Sequence, residues 1–204
     1  MFKLKKKRPP ASKGGNDYVL EKLKHLLGNK YRFEEFLGRG GFAAVYKVVN
    51  LKLDRVEALK VLLNMPDSQT DFARRFKQEA KVSASLDHPH IVRVYEFGNL
   101  DEHFWFTMQY IEGPTLAQEL KSRQTLDPVP AVSLILPLLD ALDYSHKRGV
   151  IHRDIKPGNI MLDLRGRPYL MDFGIAKSMS SMFKTQTGHF LGTPVYVAPE
   201  QASG

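Results

Sequence analysis

Residues 151–160 read IHRDIKPGNI, and residues 171–174 read MDFG. Two acids, one amide and one lysine therefore fall within 19 positions, each beside a short apolar segment with strand character. Carboxylate and amide oxygens are the hard ligands that Mg²⁺ prefers, and Mg²⁺ commonly accompanies bound phosphates. The two segments together predict a site for a metal-bound polyphosphate.

A glycine-rich turn lies upstream, where residues 37–45 read LGRGGFAAV between two strand patterns. Glycines let the main chain approach anionic oxygens and present bare N–H groups to them. The turn is not a P-loop, since no Gly-Lys-Ser/Thr follows, and a dinucleotide fingerprint would need a helix where this sequence offers a strand. A plain glycine-rich hairpin turn is the alternative interpretation.

Lys60 ends the strand pattern VEALK at residues 56–60. Its apolar neighbours predict a partly buried ammonium group, which is costly unless it is paired. Glu79, on the helix predicted to follow, has the right charge to pair with it. A solvated surface lysine is the alternative.

The order of strand and helix patterns predicts an α+β fold. Strand patterns at 31–37, 44–50, 56–63, 91–98 and 103–111 predict a five-stranded antiparallel sheet, with a helix across 70–86. Helical patterns follow at 115–123 and 128–149, and Pro137 should kink or weaken the longer helix. That helix carries one apolar stripe, formed by Val132, Ile135, Leu136, Leu139 and Leu142.

The positive charge of the chain is concentrated at its start. The 204 residues carry 30 Lys and Arg against 22 Asp and Glu, a formal net charge of +8. Residues 1–30 hold nine of those cations against Asp17 and Glu21, so the rest of the chain is close to neutral. A nearly neutral main body lacks the excess charge that a nucleic-acid surface needs, so no specific nucleic-acid partner is expected.

Composition excludes several other classes of protein. The chain has no cysteine, which rules out disulfides, thiolate zinc sites and cysteine nucleophiles. No apolar run approaches the ~18 residues of a membrane span, and no secretory signal is present. A cytoplasmic location is therefore expected for this chain, with a membrane anchor further downstream in the gene left open.

Four segments are expected along the chain. Residues 1–16 should form a basic disordered tail, for which the alternative is a weak contact with an anionic membrane or an acidic partner. Residues 17–30 should form a short amphipathic helix that packs on the domain after it. Residues 31–112 should hold the sheet, and residues 113–204 the helices and the loop around Asp154.

These motifs, together with GTPVYVAPE at residues 192–200, resemble those of protein kinases. The resemblance runs from about Tyr31 to Gly204 and is nearest to the eukaryotic-like Ser/Thr kinases of bacteria. It implies a bilobal fold with a five-stranded antiparallel N-lobe, a helix C and a helical C-lobe. Since family members continue for several more helices, we expect that the catalytic domain is truncated just after the Ala-Pro-Glu motif and that the C-lobe is partial.

The resemblance also implies roles for single residues. Asp154 would accept the proton of the substrate hydroxyl, and Lys156 would stabilise the transferred phosphoryl group. Asn159 and Asp172 would hold Mg²⁺. Lys60, paired with Glu79, would orient the phosphates of ATP under the glycine turn that contains Gly38 and Gly40. The adenine would contact the side chains of Leu37, Val45, Ala58, Met108 and Met161 and the backbone of Gln109 and Ile111; ordinary core packing is the alternative for the Met and Val residues.

The function implied is transfer of the γ-phosphate of ATP to Ser or Thr hydroxyls of protein substrates. Lys156 and Thr193 favour Ser/Thr over Tyr, and Thr185 and Thr187 are expected sites of autophosphorylation, with self-association of the kinase. Ala43 replaces the third glycine of the loop pattern, which should weaken ATP binding without abolishing it. The alternatives are an inactive truncated fragment or pseudokinase scaffold, and a small-molecule kinase of similar fold.

Overall fold

The computed structural model describes residues 16–40, 43–63, 77–78, 80–100, 103–173 and 194–203. The chain forms two compact units. The sheet unit holds the described residues up to 63 together with Val94–Tyr110, and the helical unit holds those from 77 to Arg93 together with the chain from Ile111 onward. Some predictions concern residues outside the described ranges, namely Glu79, Thr185, Thr187, Thr193 and the first fifteen residues.

The sheet unit contains the predicted five-stranded antiparallel sheet, which is confirmed. Its strands pair in the order β1-β2-β3-β5-β4. The strands are β1 (Tyr31–Arg39), β2 (Ala43–Asn50), β3 (Arg55–Leu62), β4 (Val94–Leu100) and β5 (His103–Gln109).

The fourth strand begins three residues later than the sequence predicts. Ile91 forms a parallel bridge with Leu170, and the Val92 N–H donates to the Leu170 carbonyl at 2.8 Å. The backbone groups of these two apolar residues therefore bond within the helical unit, so the strand of the sheet starts only at Val94.

Helix α1 (Asn16–Leu27) packs against one face of the sheet. Leu23 and Leu27 are buried, and their positions four apart place them on one side of the helix. We call the sheet residues in this core the α1 face; they are Tyr31, Ala44, Tyr46, Val48, Leu59, Val61 and Trp105. Burial of this apolar area accounts for the helical spacing seen in the sequence.

The helical unit is built around a second apolar core. Its elements are a helix α2 within residues 77–84, then α3 (Leu116–Arg123), α4 (Pro128–His146), β6 (Ile160–Leu162), β7 (Pro168–Leu170) and α5 (Pro199–Ser203), with single 3-10 turns at Pro157–Asn159 and Pro194–Tyr196. The core residues are Leu86, Ile91, Leu116, Leu138, Ala141, Ile160, Leu162, Leu170 and Phe173. Over the described part of the chain, no helix has the length and apolar character that crossing a bilayer requires.

The apolar stripe predicted on α4 does not mark its buried side. Leu138, Ala141 and Ser145 are buried, whereas Leu136 is 59% exposed. Val132, Ile135 and Leu139 are exposed as well, and Leu142 is only partly buried. Because α4 is apolar on more than one side, the spacing of its apolar residues could not identify the side that packs.

Candidate active site

The loop that contains Asp154 leads into the β6–β7 hairpin, and that hairpin is tied down at both ends. The Leu162 N–H donates to the Pro114 carbonyl at 2.9 Å, and the Met171 N–H donates to the Asn159 carbonyl at 3.0 Å. The second bond holds the residue before Asp172 against Asn159. The hairpin thus brings the two sequence motifs, separated by ten residues, to one place.

The backbone before α3 approaches the end of β6 so closely that a glycine is required there. Gly113 has φ +152°, and a Cβ added there would lie 1.9 Å from the carbonyl oxygen of Leu162. Real side chains do not tolerate that distance, so only a hydrogen fits in this position. Gly113 was not predicted as important, although its place between β5 and α3 was visible in the sequence.

Asp154 is the centre of a small polar network. Its Oδ2 atom accepts hydrogen bonds from Lys156 Nζ at 2.7 Å and from Asn159 Nδ2 at 2.7 Å. The same Asn159 nitrogen donates to the backbone carbonyl of Asp154 at 2.8 Å. The three predicted catalytic residues are therefore in mutual contact, held in part by a charge-assisted bond.

His152 fixes the backbone on the other side of Asp154. The imidazole is buried, its Nε2–H donates to the Met171 carbonyl at 2.9 Å, and its Nδ1 accepts from the Asp154 N–H at 3.3 Å. Burial lowers the pKa of His152, and the bond to Met171 and the charges of Asp172 and Asp154 only partly oppose that effect. A neutral ring with the proton on Nε2 satisfies both bonds, so His152 has the contacts of a packed, hydrogen-bonded core residue.

Two residues of the motifs have left-handed backbone conformations. Arg153 has φ +67° and Asp172 has φ +66°. For residues other than glycine this conformation costs about 1–2 kcal/mol, so the surrounding contacts must maintain it. Such strain is typical of functional positions, and here it occurs on either side of the Asp154 network.

Phe173 anchors the second motif. Its ring is packed 4.5 Å from the His152 ring between centroids, and its carbonyl accepts a hydrogen bond from Ser83 Oγ at 2.7 Å. Ser83 lies on α2, so this helix is tied to the segment that carries Asp172. Nothing local in the sequence marks Ser83, because its partner is 90 positions away.

The sheet unit brings other predicted residues together on the face opposite to α1. Val45 pairs with Lys60 across β2 and β3, and Ala58 pairs with Met108 across β3 and β5. Because side chains alternate along a strand, all four project from the same face, which we call the Lys60 face. Lys60 Nζ lies 5.8 Å from the centre of the Phe106 ring on this face.

The glycine turn joins β1 and β2. The Gly40 N–H donates to the Ala43 carbonyl at 2.8 Å, which closes the turn, while residues 41 and 42 lie outside the described residues. Leu37 and Gly38 are half-buried at the end of β1 beside Val45, where the pairing shifts register. The turn is thus a hairpin with glycine-permitted geometry, which agrees with both interpretations of the sequence.

The remaining predicted residues have less distinctive surroundings. Gln109 ends β5, half-buried and paired with Glu57, and Ile111 is buried in the segment that follows. Met161 lies on β6, half-buried, and forms a bridge with Thr115.

The family model described as "Protein kinase domain" matches residues 31–204. Serine/threonine-protein kinase PrkC of Bacillus subtilis (strain 168) is 38% identical over 178 residues, which is 87% of this chain and 28% of that protein. Serine/threonine-protein kinase PknJ of Mycobacterium tuberculosis is 43% identical over 178 residues, covering 85% of this chain and 30% of that protein.

Solved structures agree with this. The crystal structure of the M. tuberculosis PknI kinase domain superposes with a TM-score of 0.65 and 35% identity, covering 72% of this chain and 59% of that one. The chain thus spans less than a third of the two curated relatives and over half of the solved domain. With the motif order, the antiparallel sheet and the Asp154 network, these matches show that the chain belongs to the protein kinase family, among the eukaryotic-like Ser/Thr kinases of bacteria.

Proposed function

We propose that this chain supplies the catalytic machinery for transfer of the γ-phosphate of ATP to Ser or Thr hydroxyls of proteins. The observation that carries the proposal is the shared use of one carboxylate oxygen, Asp154 Oδ2, by Lys156 and Asn159. A carboxylate fixed by two donors on one oxygen has its other oxygen at a defined position. That is the arrangement needed to orient a hydroxyl group and accept its proton.

Asp154 Oδ1 is the proposed acceptor for the substrate hydroxyl proton. Lys156 contacts Asp154 directly and carries the positive charge that would stabilise the transferred phosphoryl group. Asn159 positions Asp154 through its amide nitrogen. Asp154 would therefore accept the proton, Lys156 would neutralise charge on the phosphate, and Asn159 would hold the Asp154 carboxylate in place.

The donor set fits Mg²⁺. Both described bonds of the Asn159 amide use Nδ2, which leaves the oxygen, Oδ1, as a cation ligand, and Asp172 supplies a carboxylate. No group of three or more His, Asp or Glu within the described ranges could hold a metal ion without other ligands. A site with one carboxylate and one amide suits Mg²⁺, which commonly completes its shell with phosphate oxygens and water. When bound, Mg²⁺ would neutralise charge on the phosphates.

The nucleotide assignments rest on the family likeness and on the Lys60 face. Lys60, with Glu79 as its proposed partner, would bind the phosphates, and the N–H groups around Gly38 and Gly40 would contact them. Adenine is proposed to contact the side chains of Leu37, Val45, Ala58, Met108 and Met161 and the backbone of Gln109 and Ile111. The pairing of Ala58 with Met108 supports this, since both side chains are apolar and buried and neither brings a charge.

The proposal is tested by binding first and by transfer second. MgATP should raise the melting temperature of the chain, because it binds only the native state. Radiolabelled ATP should then label a protein substrate, and Asp154→Asn should bind nucleotide but lose transfer. Stabilisation without transfer would favour the pseudokinase scaffold, and transfer only to small hydroxyl compounds would favour a small-molecule kinase.

Regulation by autophosphorylation is proposed for Thr185 and Thr187. Arg153 directly precedes Asp154 in the sequence, and a phosphorylated residue that pairs with this arginine would order the segment through charge-assisted bonds. Mass spectrometry after incubation with MgATP should find phosphate on at least one of the two threonines. Finding neither modified would refute this part of the proposal.

The remaining partner assignments follow from the same chemistry. Protein substrates are proposed from the family, and self-association is proposed because transfer to the kinase's own threonines can occur between two copies. The basic tail is proposed to be solvated, with a weak contact to anionic lipid as the alternative, and a cytoplasmic location follows from the need for ATP. Vesicle co-sedimentation with and without anionic lipid would decide between the two assignments of the tail.

A further inference from the structure

Gln201 lies on α5, at the end of the segment that follows the Asp172 motif, and its side chain contacts the Asp154 loop. Its Nε2 atom donates to the backbone carbonyl of Arg153 at 3.0 Å, a normal hydrogen-bond length. The partners are 48 residues apart. A carbonyl oxygen only accepts hydrogen bonds, so the amide nitrogen of Gln201 must be the group that faces it.

The peptide group that receives this bond is the one that joins Arg153 to Asp154. Its oxygen accepts from Gln201, and its N–H donates to His152 Nδ1 at 3.3 Å. Both polar atoms of one peptide plane are therefore held, from different elements. Because that plane is rigid and includes the Asp154 Cα, holding both of its ends restrains the position of the atom from which the Asp154 side chain leaves the backbone.

The peptide needs this support because its first residue is strained. Arg153 has φ +67°, a conformation that a residue without special support leaves readily. The His152 bond restrains only the N–H end. The Gln201 bond supplies the other restraint, and it comes from α5, where the Gln201 N–H also bonds to the Ala198 carbonyl at 3.0 Å.

We infer that Gln201 is a positioning residue for Asp154, which links helix α5 to the peptide that orients the proton acceptor. The inference rests on the proposed phosphotransfer function for its kinetic consequence, though not for the bond itself. Gln201 does not touch the substrate. It acts by keeping the Arg153–Asp154 peptide in one orientation, so its loss should lower turnover more than nucleotide affinity.

The test compares three variants of the full chain. Gln201→Met keeps size and neutrality and removes the donor, and Gln201→Lys restores a donor of similar reach. Gln124→Met is the matched control, because Gln124 is an exposed residue at the end of α3 and takes no part in the site. Two quantities are measured: kcat and KM for ATP in the transfer assay, and hydrogen exchange of the Asp154 backbone amide by NMR on ¹⁵N-labelled protein.

For Gln201→Met we expect kcat to fall about tenfold with KM for ATP nearly unchanged, and the Asp154 amide to exchange about tenfold faster. Gln201→Lys should recover most of both losses, and Gln124→Met should match the unmodified chain. The inference is overturned if Gln201→Met leaves either readout unchanged, or if Gln201→Lys recovers neither. If the unmodified chain transfers no phosphate, the proposed function fails, and the exchange rate of the Asp154 amide alone then decides the role of Gln201.

Discussion

The α1 face of the sheet and the loop around Asp154 are held together by different forces. On the α1 face, Leu23 and Leu27 pack among apolar side chains, so the energy comes from area removed from water and has no direction. In the Asp154 loop, one carboxylate accepts hydrogen bonds from Lys156 and Asn159, and one peptide group is held by a bond to His152 and a bond from Gln201. Apolar packing tolerates small shifts of the side chains, whereas a hydrogen bond requires a particular donor and acceptor at a defined distance and angle. Stability and chemistry should therefore respond separately to mutation in the two regions.

The largest effect should come from Asp154→Asn. The amide keeps the size of the side chain but cannot accept a proton, so transfer should fall by about 10²–10⁴-fold. The side chains of Asp154 and Lys156 are both partly exposed, so the free energy of unfolding should change by less than about 1 kcal/mol. Rates from the radiolabel assay and urea unfolding curves measure the two quantities. A loss of stability that accounts for the loss of rate would contradict the separation.

Leu23→Ala should show the reverse behaviour. Leu23 is 1% exposed, so truncation leaves a cavity under α1 and should cost about 2–5 kcal/mol of unfolding free energy. The rate per folded molecule should be unchanged, because α1 carries no group of the proposed site. Leu26→Ala is the control on the same helix: Leu26 is 40% exposed, and its loss should cost about 0.5 kcal/mol or less. Equal costs for the two variants would show that α1 does not pack on the sheet.

Gly113→Ala should show how far the helical unit depends on close backbone approach. The added Cβ would lie 1.9 Å from the Leu162 carbonyl oxygen, and since the backbone of residue 113 sets the Cβ position and the oxygen is itself a backbone atom, the backbone must shift. We expect a loss of about 2 kcal/mol or more. Gly149→Ala is matched: its φ is +73°, but among the described residues no atom lies within 4 Å of the added Cβ, so only the conformational cost of about 1 kcal/mol applies. Urea unfolding compares the two, and equal losses would show that the contact is relieved at no cost.

The same contrast explains what the sequence could predict. The short motifs could be found from residue type and spacing alone, and they contain Asp154, Lys156, Asn159 and Asp172. The sheet could be predicted from local strand patterns. The role of Gly113 and the bond made by Gln201 depend on contacts between residues about 50 positions apart, which no local pattern encodes. The buried side of α4 could not be predicted for a related reason, since it depends on which other elements of the fold pack against the helix.

The smallest effect expected is a pH dependence that arises from His152. Burial lowers the pKa of His152 in the folded chain, so below about pH 6.5 the unfolded chain binds the proton that the folded chain refuses. The free energy of unfolding should therefore fall as the pH drops below about 6.5, by up to about 1.4 kcal/mol per pH unit, and the loss should level off below the pKa of the folded form.

Protonation would also place a hydrogen on Nδ1, where it would face the Asp154 N–H that donates to this atom. The ring could then keep its bond to the Met171 carbonyl but would lose its bond to Asp154. Urea unfolding at several pH values between 7.5 and 5 measures the slope. The difference between the unmodified chain and His152→Gln isolates the contribution of His152. If the two slopes coincide, His152 is not the group whose protonation destabilises the loop, and the hydrogen bonds around Asp154 would then persist in acid.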